Sequence, residues 1–214
     1  MTARTFADGS RWVAQGTRLF VAAVDGLGLD EEMFAEPSLL PGWTRKHLVA
    51  HVAANADALG NLVRWAATGV RTPMYSSPED RANGIARGAT MAATELDAWL
   101  RTSAANLAAA MDRLGPSQWQ QEVVTAQGRT VPATEIPWMR AREVCVHAVD
   151  LGRGLAFADL PAGFNAALRA DIQAKRGLAE LPASVAGADP AQATAWLAGR
   201  AHTLTEAPDL GAWL

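Results

Sequence analysis

WMRAREVCVHAVDLG, residues 138–152, reads as a helix that carries Glu143 and His147 four residues apart. At about 100° per residue, positions i and i+4 stand on one face, one turn apart, so a carboxylate and an imidazole placed there can reach a single cation. Val144 and Cys145 point away from that face, and Arg140 and Asp150 flank it three residues to either side.

Upstream, residues 44–69 predict a second long helix. Thr44 suits its start, because a threonine hydroxyl accepts from an N–H of the first turn that has no intrahelical partner. Gly69 suits its end. Leu48, His51, Val52, Asn55, Leu59, Leu62 and Val63 fall on one side. His51 therefore sits in the core-facing stripe, where a polar group without a partner is costly. If the two helices pack face to face, His51, Glu143 and His147 form an N, O, N donor set with one position open. That is the composition of a catalytic zinc site, not a closed structural one.

The pattern leaves alternatives. His47 stands four residues before His51, and spacing alone does not separate the two as ligands; His202 has no spacing argument in its favour. Asp150 and Asn55 are candidates to orient a ligand by hydrogen bonding. Cys145 lies about 200° around the helix from both Glu143 and His147 and cannot join them at one ion. It reads as a small buried hydrophobe, so any sulfur chemistry needs a thiol from outside the chain.

The remaining segments complete a bundle. Residues 8–28 carry apolar positions at helical period and stop at Gly26 and Gly28; a loop broken by Pro37 and Pro41 follows. A short helix is expected from Pro78 and a long one over 90–114, closed by Gly115 and Pro116. Val123 and Val124, a turn at Gln127 and Gly128, and a return at Thr130 and Val131 predict a hairpin or extended loop. After residue 157 short apolar segments alternate with prolines. Helices near 163–175 and 190–199 are expected there, with SVAG, residues 184–187, as a strand. The fold class is mainly α: a four-helix metal-binding domain over 1–155 and a small mixed α/β C-terminal domain over 156–214.

With 214 residues, half of them hydrophobic, and a formal charge of −3, the composition is that of an ordinary soluble chain. Arginines are scattered among acids without a basic stripe, which argues against a nucleic-acid partner. No apolar run is long enough to span a membrane, and MTARTFADGSRW lacks a secretory pattern. Cys145 is the single cysteine, so no internal disulfide forms. A cytoplasmic monomer is expected.

Four blocks, SLLPGWTRKHLVAHVAANADALGNLVRWAATG, TPMYSSPEDR, VVTAQGRTVPATE and WMRAREVCVHAVDLG, in this order and spacing, resemble the mycothiol-dependent maleylpyruvate isomerases of the DinB-like group of metal-dependent thiol transferases. The resemblance runs from about residue 15 to 157. It implies a DinB-like four-helix bundle with a zinc site of His51, Glu143 and His147, and His47 outside it. It also implies cis–trans isomerisation of maleylpyruvate to fumarylpyruvate by thiolate addition, bond rotation and elimination. Arg81 and Arg200 are the implied candidates for holding the dicarboxylate substrate or the thiol. The last third reads as shorter than the family pattern, with AHTLTEAPDLGAWL where the family is Gly-rich. Mycothiol is the implied thiol, with glutathione or ergothioneine as alternatives. Two further readings are a metal-dependent thiol S-transferase conjugating electrophiles and a non-catalytic helical binding module.

Overall fold

A computed structural model describes residues 4–211 and 213. Four long helices make the core: α1 (Phe6–Asp25), α3 (Arg45–Thr68), α5 (Ala93–Asp112) and α7 (Ile136–Asp150), with short α2 (Glu31–Ala35), α4 (Pro78–Ala89) and α6 (Pro116–Trp119) between them. Each boundary has a local cause. Thr5 and Thr44 cap α1 and α3 by accepting from the third residue of the helix. Gly69 ends α3 with φ of 73°, a left-handed conformation that a glycine adopts without steric cost. Ser77 caps α4, whose first residue is Pro78. Asp30 caps α2 by accepting from Glu32 and Met33, so the stretch expected as a loop contains one helical turn.

The hairpin forms as read. Strands β1 (Glu122–Val124) and β2 (Thr130–Pro132) pair antiparallel, with Val123 opposite Val131. Gly128, at φ of 76°, makes the turn. Val123 is buried and joins Ile136 of α7 and Leu59, Leu62 and Val63 of α3 in one core cluster.

In the bundle, α1 packs along α7, and α3 lies against α5, α4 and α7. The α1–α7 approach is close because Gly16 has no side chain: a Cβ there would stand 2.5 Å from Cys145 Sγ and 2.7 Å from Val144 Cγ2. Between α1 and α5 the ring is looser. The facing residues Ala104, Ala105 and Ala108 are too small to reach across, leaving a cleft of about 660 Å³ that Phe6, Trp119 and Arg140 also line.

Thr5–Arg153 form one compact unit; Gly154 onward, with Arg4, belong to a second. The second unit contains α8 (Phe164–Arg176), α9 (Ala183–Ala186) and α10 (Pro190–Leu197). Phe164, Leu168 and Ile172 of α8 and Trp196 and Leu197 of α10 are buried. The strand expected over residues 184–187 is a helical turn instead. Pro182 O accepts from Val185 N and Ala186 N at 2.8 and 2.9 Å, which curls the backbone before any ladder can form. The described residues of this unit therefore contain no strand, and its expected α/β character gives way to helices. No described helix is long and apolar enough to cross a membrane.

Candidate metal centre

The packing of α3 against α7 brings His51 and Glu143 together across 92 residues of chain. His51 Nε2 lies 2.9 Å from Glu143 Oε2, and His147 Nε2 lies 3.4 Å from the same oxygen. The His51 and His147 rings meet edge to face with centroids 5.0 Å apart, and Trp43 packs edge-on against His51 at 5.5 Å. Both histidines are buried and Glu143 nearly so.

Two clamps hold these elements in register. Arg45, in the first turn of α3 and buried, donates from Nε to Leu151 O at the end of α7 and from Nη1 to Met33 O. Leu39 N donates to Asp150 O at 2.8 Å, tying the loop before α3 to the same helix end. The clamps lie beside His147, which is one turn from the end of α7.

The donor set fits a cation. His147 Nδ1 is 2.8 Å from Asp150 Oδ2, and Asp150 is fully buried. The carboxylate can only accept, so Nδ1 carries the proton and Nε2 presents its lone pair. That lone pair is buried, faces the Glu143 carboxylate and makes no hydrogen bond. Two acceptors facing each other in a buried site repel unless a positive charge stands between them. The ligand atoms of all three residues lie within 4.8 Å of one another. Nitrogen and oxygen ligands about 2.0–2.1 Å from a tetrahedral zinc stand roughly 3.4 Å apart, comparable to the spacings here.

The protonation energetics follow. Burial pulls the His51 pKa down, and the Glu143 contact does not restore it. His147 is also opposed by burial, but the Asp150 hydrogen bond and the nearby Glu143 carboxylate prevail and raise its pKa. Burial pushes Glu143 upward, yet the His147 and His51 contacts hold it well below the usual carboxylate range. The site is built to keep Glu143 anionic.

The other residues singled out from the sequence fall as follows. Arg81 Nη2 is 3.4 Å from His51 Nδ1, so Arg81 borders the cluster. His47 does not join it: His47 Nδ1 is 2.7 Å from Thr44 Oγ1 and closes the cap of α3. The Thr-x-x-polar spacing at Thr44 carried that signal in the sequence. Asn55 hydrogen-bonds to none of the three; its Oδ1 accepts from Arg140 Nη1 at 2.9 Å. Cys145 is buried, and burial pushes its thiol pKa up, which removes it as a nucleophile. Arg200 belongs to the C-terminal unit, where its Nη1 donates to Ala198 O. Sequence reasoning passed over Tyr75, in the loop before α4, whose phenol interacts with Arg81; burial raises its pKa.

The fold and the site together define a helical-bundle protein with a two-histidine, one-carboxylate group able to hold a cation. The chain belongs to the mycothiol maleylpyruvate isomerase family: the model of that family's N-terminal domain matches residues 13–152. It is 38% identical to a crystal structure of the mycothiol-dependent maleylpyruvate isomerase, with a TM-score of 0.88 over 100% of each chain. A histidine-to-alanine mutant of that enzyme matches with the same identity, coverage and TM-score. No curated protein matches the sequence significantly.

Proposed function

We propose that the protein is a thiol-dependent cis–trans isomerase that converts maleylpyruvate to fumarylpyruvate with mycothiol and zinc. The observation that carries this reading is the convergence of His51, Glu143 and His147 in a buried site of a chain belonging to this family. A divalent cation held there by these three residues would supply the Lewis acidity that keeps a bound thiol deprotonated near neutral pH.

The reaction needs an external nucleophile because rotation about a carbon–carbon double bond is too slow. Addition of a thiolate β to the carbonyl moves the alkene electrons onto the carbonyl oxygen and leaves a single bond. After rotation, the electrons return and the thiolate leaves unchanged. The chain's own groups support this sequence. Asp150 keeps the proton on His147 Nδ1 and so leaves Nε2 free as a ligand. His51 acting through Nε2 carries its proton on Nδ1, a position to which the Arg81 guanidinium cannot donate. Arg81 is then released to meet a carboxylate of the substrate. Arg200 is the second candidate for an anionic group of substrate or thiol. We take the enzyme to be a cytoplasmic monomer.

The test is direct. Purified protein should be inert on maleylpyruvate until a low-molecular-weight thiol is added, and His51→Ala should lose metal and activity together. Mycothiol, glutathione and ergothioneine compared side by side identify the thiol. Full activity of thiol-free protein refutes the mechanism, and accumulation of a stable thioether assigns S-transfer instead.

A further inference from the structure

Arg140 stands one turn ahead of Glu143 on α7 and is 1% exposed. Its Nη1 donates to Val52 O at 2.7 Å and to Asn55 Oδ1 at 2.9 Å. Val52 adjoins His51 in sequence, and Asn55 is one turn beyond it. The guanidinium is thus fixed between α3 and α7, within about one helical turn along the chain of both His51 and Glu143. Both acceptors are neutral, and among the described residues no carboxylate forms an ion pair with Arg140. Nη2 is buried and has no hydrogen-bond partner.

A buried guanidinium with one nitrogen unused is costly, because the charge has left water without a hydrogen-bonded anion. The Glu143 and Asp57 carboxylates attract the guanidinium without bonding to it, and burial outweighs that attraction; Glu143 is engaged by His51 and His147. Arginine is also the side chain best matched to a carboxylate, through its parallel N–H donors. The register tie through Nη1 uses only part of that capacity.

We propose that Arg140 is a substrate-holding residue beside the metal centre, tied to α3 through Nη1 and receiving a carboxylate of the dicarboxylate substrate on Nη2. The inference rests on the proposed function for the identity of the substrate. It adds a third cation to Arg81 and Arg200, and of the three only Arg140 is fully buried and held between the two ligand-bearing helices.

The test uses succinate, a saturated dicarboxylate that cannot add a thiol, titrated calorimetrically into zinc-loaded full-length protein. Arg140→Met keeps the volume of the side chain and removes the charge. It should weaken succinate binding about ten- to a hundredfold, with zinc stoichiometry unchanged. In turnover, KM for maleylpyruvate should rise more than kcat falls. Unchanged succinate affinity in folded, zinc-loaded Arg140→Met overturns the proposal. If that variant does not fold, a crystal of the wild-type zinc protein soaked in succinate decides. A carboxylate oxygen within hydrogen-bonding distance of Nη2 supports the assignment. Succinate seated with no carboxylate oxygen in reach of Nη2, whether in the α1–α5 cleft that Arg140 also lines or elsewhere, overturns it. Wild-type turnover of maleylpyruvate is measured alongside, so that failure of the isomerase reading is scored separately from failure of the arginine assignment.

Discussion

Replacing Asp150 by Asn probes the metal centre without touching a ligand. The side chain is fully buried, and its Oδ2 lies 2.8 Å from His147 Nδ1. An amide oxygen can still accept from Nδ1, but the charge that strengthens the bond and makes His147 a better donor is gone. Partners of this kind affect metal affinity by about 10–100-fold, or about 1.4–2.8 kcal/mol. The loss should depend on pH in a definite direction. Asp150 and Glu143 hold the His147 pKa above the usual imidazole value against the effect of burial. In the wild type a proton must leave His147 before Nε2 can bind, so zinc affinity falls about tenfold per pH unit below that pKa. Without the Asp150 charge the pKa drops, and the proton competes less. The deficit of Asp150→Asn should therefore be largest at about pH 8 and shrink towards about pH 5.5. Competition against a chromophoric zinc chelator at both pH values measures it. Affinity within about twofold of wild type at the higher pH, or a deficit that grows on acidification, would refute the argument.

Two further substitutions separate packing and capping from the site. Gly16→Ala places a methyl group against Cys145 and Val144, whose atoms lie 2.5 and 2.7 Å from the new Cβ; thermal unfolding should show a loss of about 1–3 kcal/mol as α1 is pushed off α7. His47→Ala opens the cap of α3. It should cost about 0.5–2 kcal/mol of stability while bound zinc, measured by elemental analysis, stays at the wild-type level; loss of zinc would return His47 to the ligand set.

Helical period and punctuation were enough to read the four long helices, the hairpin and the pairing of Glu143 with His147, because these depend on residues within a few positions of one another. The caps at Thr44 and Gly69 and the opening proline of α4 are likewise local chemistry. Where local cues were ambiguous, the reading slipped: Ser184 to Gly187 has strand-like composition, but the preceding Pro182 starts a helical turn. Asn55 lies on the correct face of α3, yet pattern could not show that it serves Arg140 and not a histidine.

Only the tertiary structure decided that His51, and not His47, meets Glu143. The two histidines share one helix and one spacing, and what divides them is the way α3 lies on α7 and the diversion of His47 to the Thr44 cap. The same packing buries Arg140 with Nη2 unused and brings Arg81 beside His51. Short-range sequence can prescribe a helix and the side chains along its face. Which faces meet, and which polar groups are left buried without a partner, depends on how distant segments share one core.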